Sequence, residues 1–200
     1  MASSDLSGSP AVPDSREALL DATERVIARE GFSALTYRSV AAEAGVTHGL
    51  VTYRFGTLDA LISETLLRVA RRAVDGSALE ARSGRIEDFA RDLGQLAEEA
   101  PDGQAFQFEV VLEARRREDL RAAVQEMYDN YFAVAQDALG RIGVDDSPAM
   151  TRLVFAALDG MILQQLIFGR REDTDALVAK LHEVLHALAA ARAGSARDQL

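Results

Sequence analysis

Apolar residues recur at intervals of three and four through most of the 200-residue chain, and no stretch alternates polar and apolar positions well enough to form a strand. The first such face is Leu19, Leu20, Ala22, Val26 and Ile27. Its helix opens at Asp14-Ser15-Arg16-Glu17, a capping acid or hydroxyl with a glutamate in the first turn, and stops at Gly31. Thr36 then caps a short helix (Ser39 to Ala44) that ends at Gly45. Thr47 caps a second that breaks near Gly56, and Thr57 caps a long one ending at Gly76. The pattern predicts further helices at about 85–99, 103–116, 118–140, 148–169 and 174–193, the last two opened by Ser147-Pro148 and Asp173-Thr174. Pro10, Pro13, Pro101 and Pro148 punctuate these segments without interrupting them. Residues 1–14 read as a disordered tail. The fold class is all-α.

Composition narrows the picture. Hydrophobic residues make up 48% and the mean hydropathy is −0.05, a globular balance. There is no cysteine, which removes disulfides, thiolate metal sites and cysteine nucleophiles. No uncharged apolar run reaches the ~18 residues of a membrane span, and the N-terminal segment lacks the basic and apolar regions of a secretory signal. A cytoplasmic protein without a membrane partner is the expectation. The net charge of −10 argues against non-specific nucleic-acid binding, but does not exclude a local basic surface.

Such a surface is suggested by Thr36 to Leu61. Two short helices joined by Ala44-Gly45-Val46 match a helix-turn-helix, with Val40, Ala41, Val46, Leu50, Val51 and Phe55 as its core. Within Thr36–Leu58, Arg38 and Arg54 outweigh Glu43. Small and polar residues (Thr47, His48, Gly49, Thr52) crowd the start of the second helix, the end that meets base edges when such a helix enters the major groove. The plainer reading is a helical hairpin in a bundle, with Thr36 and Thr47 acting only as caps.

From Arg16 to about Leu66 the chain resembles the DNA-binding domain of TetR-type (tetracycline-repressor-like) regulators. The resemblance rests on Gly31-Phe32, Leu35-Thr36, the Val40-Ala41-x-x-Ala44-Gly45-Val46 turn, the Tyr53-Arg54-Phe55 cluster and Asp59-Ala60-Leu61. It implies a helix-turn-helix domain over 15–58 and a helical ligand-binding and dimerisation domain over 59–200. It also implies DNA contacts from Thr36 and Arg38, and from Thr47, His48, Gly49, Leu50, Thr52, Tyr53, Arg54 and Thr57. Two positions depart from the family's pattern: Thr52 stands where an aromatic is usual, and Leu58 where a lysine is usual.

Three further signals lie in the C-terminal part. His182-Glu183-x-x-His186 has the spacing of two zinc ligands flanking a general base, the basis of an alternative reading as a helical metal-dependent hydrolase. No Glu or His follows His186 to complete the ligand set, so no metal, cofactor or catalytic residue is expected. Residues 153–168 are apolar around most of the helix, which with 174–193 suggests a homodimer seam. Aromatic residues in the middle helices suggest a ligand pocket of Phe106, Phe108, Glu109, Tyr128, Tyr131, Phe132, Phe155 and Asp159, with Gln107, Asn130 and Gln165 as polar companions. Together these imply a dimeric regulator, a repressor released from a palindromic operator by a small molecule.

Overall fold

Capping chemistry fixes where the N-terminal helices begin and end. The computed structural model describes residues 15–75, Leu79, Ala81 and 83–197, and the expected tail (1–14) and helix end at Gly76 lie outside them. Helix α1 spans Ser15–Glu30, α2 Tyr37–Ala44, α3 His48–Phe55 and α4 Leu58–Asp75. Thr36 Oγ1 accepts from Ser39 N–H at 3.0 Å while Ser39 Oγ accepts from Thr36 N–H at 2.8 Å, a reciprocal cap built with serine in place of glutamate. Gly45 takes the left-handed conformation (φ 68°, ψ 29°) that ends α2 and turns the chain into α3. Leu19, Leu20, Val26 and Ile27 of α1 are buried with Val40, Ala41 and Val51, as their spacing predicts, whereas Val46, Leu50 and Phe55 are only half-buried.

The body consists of α5 (Leu93–Glu99), α6 (Pro101–Glu113), α7 (Glu118–Arg141), α8 (Pro148–Phe168) and α9 (Arg171–Arg197). Helix α4 packs on α1 and also on α7 and α6, while α1 itself leans on α6, so one apolar core runs from the first helix to the last. Ion pairs reinforce this join. The buried guanidinium of Arg68 on α4 meets Glu17, Asp21 and Glu24 of α1 at 2.8, 2.7 and 3.3 Å. Arg117, in the turn before α7, pairs with Asp59 at the start of α4 and lies over the Phe32 ring. No strand occurs among the described residues.

Three expectations are corrected. The helix expected over 85–99 is broken into a 3₁₀ turn at Ile86–Asp88 and α5, with Ala90 at φ +54° between them. Tertiary packing overrides helix propensity there. Phe89 and Ala90 are buried, the Phe89 carbonyl accepts from His182 Nε2 at 2.7 Å, and Gly94 lets α5 lie on α9. A Cβ on Gly94 would come within 2.6 Å of Asp175 Oδ1. Helix α6 starts two residues early because Pro101 occupies its first turn, and it ends at Glu113, leaving Arg115 and Arg116 in a turn. Helix α9 starts at Arg171, and Thr174 is buried within it, not capping it; Gly169 ends α8 in the left-handed conformation and the next helix restarts at once.

Helix α8 is the one helix among the described residues long and apolar enough to cross a membrane. Arg152 and Asp159 interrupt its apolar run, and Val154, Phe155, Leu158, Met161 and Ile162 bury one face in the protein's own core. Its opposite face carries Leu153, Leu163, Ile167 and Phe168, all exposed.

Candidate DNA-reading face and ligand cavity

The reading face grows out of the turn between α2 and α3. Thr47, His48, Gly49, Thr52 and Tyr53 are exposed along α3, and Tyr53 is 81% exposed. An aromatic ring left this far in water has no packing role within the subunit. Thr47 stands at the N-cap position, yet its side chain makes no capping bond; the Leu50 N–H goes instead to the Thr47 carbonyl at 3.0 Å. Its hydroxyl is thereby left at the surface. Thr36 differs, because its hydroxyl is engaged with Ser39. Thr57 is exposed and accepts from the Ala60 N–H at 3.1 Å, capping α4. Leu50 is half-buried. Gly49 has open space where a Cβ would stand, so a ligand surface can approach the backbone closely.

Charge is arranged to favour an anion. Glu43, the acid within the motif, bonds to Arg25 Nε at 2.6 Å and to Arg29 Nη2 at 2.7 Å. These bonds, Arg25's first, hold its carboxyl below the usual carboxylate range. Its charge is thus neutralised within the head, and Arg38 stands exposed with no hydrogen-bond or ion-pair partner among the described residues. Arg54 reaches back to Ser15 Oγ at 3.1 Å and lies against the Tyr53 ring, tying α3 to α1. A further staple escaped the sequence reading: Tyr37 donates to the Gly56 carbonyl at 3.1 Å, so α2 fixes the end of α3. A tyrosine at a first helical position carries no sequence signal of such a bond.

The body encloses a cavity between α6, α7 and α8, with about 590 Å³ of empty space including its mouth. Phe108, Tyr128, Tyr131, Phe155 and Asp159 line it, as does Gln107. Three candidates stand elsewhere. Phe106 is fully buried in the core, Glu109 is exposed on the far side of α6, and Phe132 packs edge-on against Phe155 from behind, at 5.4 Å between ring centroids. Helical geometry explains the exchange, since Phe106 and Phe108 are about 200° apart on one helix and cannot share a wall. Of the polar companions, Asn130 is exposed and Gln165 donates to the Gly94 carbonyl at 2.7 Å. Gln104, Met127, Leu93 and Leu158 also line the cavity, and nothing in their spacing distinguishes a cavity wall from plain core.

The cavity's polar groups form two linked pairs. Tyr131 donates to Gln107 Oε1 at 2.7 Å, and Tyr128 donates to Asp159 Oδ2 at 3.4 Å. Burial pushes the Asp159 carboxyl up to about 6, while the Tyr128 bond pulls weakly the other way. Burial, and then the neighbouring Asp159 charge, push Tyr128 up to about 12 and raise Tyr131 as well.

The zinc-like motif is accounted for structurally. His182 is half-buried against the Phe89 carbonyl, and His186 Nε2 meets Glu87 Oε1 at 3.0 Å, so each ring reaches a separate group on the 86–89 segment. No cluster of three or more His, Cys, Asp or Glu suited to a metal occurs among the described residues. His186→Gln should leave folding unchanged. His182→Leu should cost about 1–3 kcal/mol, because it strands the Phe89 carbonyl. Thermal melts of the two variants check this, and equal losses would remove the distinction.

A helix-turn-helix head joined through a shared helix to a cavity-bearing helical body defines a transcriptional regulator. Two family models match: "Bacterial regulatory proteins, tetR family" over 19–65 and "Tetracyclin repressor-like, C-terminal domain" over 84–196. The chain belongs to the TetR family of regulators. It is 28% identical over 192 residues to the HTH-type transcriptional regulator BetI of Burkholderia thailandensis, covering 89% of this chain and 95% of that protein. The crystal structure of the multidrug binding protein EbrR complexed with ethidium is 30% identical, with a TM-score of 0.63, covering 88% of this chain and 98% of that one. A TetR-family member from Streptomyces coelicolor A3, SCO1917, is likewise 30% identical over 88% and 98% of the two chains, with a TM-score of 0.69. The metal-dependent hydrolase alternative finds no support in these relatives.

Proposed function

We propose that the protein is a homodimeric repressor whose two α3 helices enter successive major grooves of a palindromic operator and are withdrawn when a small molecule fills the α6–α8 cavity. The exposed α3 surface with Arg38 beside it carries the DNA half of this reading. Thr47, His48, Gly49 and Thr52 face base edges; Thr36, Arg38, Tyr53, Arg54 and Thr57 contact phosphate or sugar; Leu50 offers an apolar edge toward a thymine methyl. The domain boundary falls at the start of α4, which pairs with α1 of the head through Arg68 and lines the cavity with Ala73, so it couples the two. Half-sites then lie about one helical turn, ~34–36 Å, apart. EbrR's complex with ethidium supports a small-molecule effector. Release follows only from the effector's greater affinity for the dimer whose heads are wrongly spaced.

The test is a gel shift with the DNA upstream of the protein's own gene, titrated with salt. Wild-type protein should bind specifically. Arg38→Ala should weaken binding to every sequence and lower the salt slope by about one unit. Failure to shift that DNA specifically would overturn the autoregulatory operator, and an unchanged slope would remove Arg38 from the contacts.

A further inference from the structure

Asp159 is the only charged side chain among the described residues lining the cavity, and its surroundings do not explain its charge. Carboxylates this enclosed are ordinarily paired with a cation or with several donors. Among the described residues its one hydrogen-bond donor is the Tyr128 hydroxyl, at the long distance of 3.4 Å. Among the described residues, every other group facing the cavity is neutral. Helix α7 brings the phenols of Tyr128 and Tyr131, α6 the amides of Gln104 and Gln107, α5 Leu93 and Leu96, and α4 Ala73. The two phenols are raised in pKa and stay neutral across the ordinary pH range.

Four aromatic residues, Phe108, Tyr128, Tyr131 and Phe155, share the lining with aliphatic side chains. Phe155 lies at the centre, 6.0 Å from Tyr128 in an edge-on arrangement and 5.2 Å from Tyr131. Ring faces attract positive charge, and this cluster already does so on its outer side, where the Arg152 guanidinium lies 5.5 Å from the centroid of Phe132. On its inner side the same cluster meets Asp159 with no cation present among the described residues.

We infer that the cavity takes an organic cation, its charge met by Asp159 and its apolar or aromatic body enclosed by Tyr128, Tyr131 and Phe155. This rests on the cavity being the effector site. A neutral ligand would cover the half-buried carboxylate with no charge to meet it, and an anion would face it directly. The cation supplies the missing charge, so binding gains most when Asp159 is ionised and is lost as it takes up a proton.

Calorimetric titration of the full chain with phenyltrimethylammonium and its neutral carbon isostere tert-butylbenzene tests the inference. At about pH 7.5 the cation should bind at least about tenfold more tightly than the isostere, and Asp159→Asn should abolish that preference. Lowering wild-type protein to about pH 5 should weaken cation binding about tenfold while sparing the isostere, since the carboxyl titrates at about 6. This arm decides the matter even if the variant folds poorly. Equal affinity for the two probes, or a preference that survives both Asp159→Asn and acid, overturns the cation and leaves the effector cavity standing. If neither probe binds to protein that still shifts operator DNA, the cavity reading falls as well.

Discussion

Leu163→Glu and Ile167→Glu should each convert the protein to a monomer and reduce operator affinity by about 10²–10⁴-fold, the advantage that two linked heads hold over one. Both side chains lie on the outer face of α8, and Ile167 is 64% exposed. Leu153 and Phe168 continue that face, and Leu177 and Val184 add exposed apolar groups from α9. A contiguous apolar surface of this kind is rarely left to water. Gly160 sits within the α8 stripe with open space beyond its Cα, so two copies of the helix can approach closely there. The two-fold seam we propose therefore sets α8 and α9 against their counterparts, as an intersubunit four-helix bundle. A glutamate in it would desolvate a charge at a cost of several kcal/mol. Ile162 is the contrasting position: it lines the subunit's own cavity, so Ile162→Glu tests folding, not assembly. Sedimentation at micromolar concentration and a gel shift on the same samples decide the prediction. Variants that remain dimeric, or monomers that bind a palindrome with full affinity, would sink this interface.

How much was legible in the sequence follows from what each feature depends on. The reading head is local: its caps, its Gly45 turn and its buried positions all lie within a few residues of the groups they serve. Position and type could be read together there. The cap at Thr36 is where the sequence places it, and the serine three residues on adds a return bond. The body depends on long-range packing. A helix over 85–99 satisfies every local preference, yet the chain breaks it so that the Phe89 carbonyl can meet His182, 93 residues away. That demand leaves no local mark. The pocket was half legible for the same reason. Asp159 stands out as a charged group on the apolar α8, whereas Phe106 and Phe108 differ only in rotation about α6. Excess apolar surface on α8 was legible, but which residues faced outward required the core to be placed first.

Asp159→Asn should stabilise the free protein near neutral pH and leave it unchanged in acid. The folded protein holds the Asp159 proton up to about pH 6, against 3.8 for a free side chain, so folding favours the protonated form. The stabilising contribution of that proton is complete below about pH 4 and is lost as pH rises through about 6. Above that, wild-type protein keeps a buried carboxylate met by one long bond from Tyr128. Two pKa units correspond to about 3 kcal/mol, which is the gain expected for an asparagine that keeps the shape and the Tyr128 bond without the charge. For a chain of this size that is a rise in melting temperature of about 6–12 °C at pH 7.5. At about pH 3 the variant and the wild type should melt together, since Asp159 is then largely neutral in both the folded and the unfolded chain. Thermal melts at the two pH values check the sign. A gain of equal size at both would show that packing, not charge, sets the effect. A carboxylate that costs stability and is retained at a cavity wall has the character of a binding group, because a site kept ready for a ligand's charge cannot also be neutralised by the protein. The same substitution should therefore raise stability and abolish the preference for a cation, and both effects should level off above the same pH of about 6. Plateaus reached at different pH values would mean that a different group sets one of them.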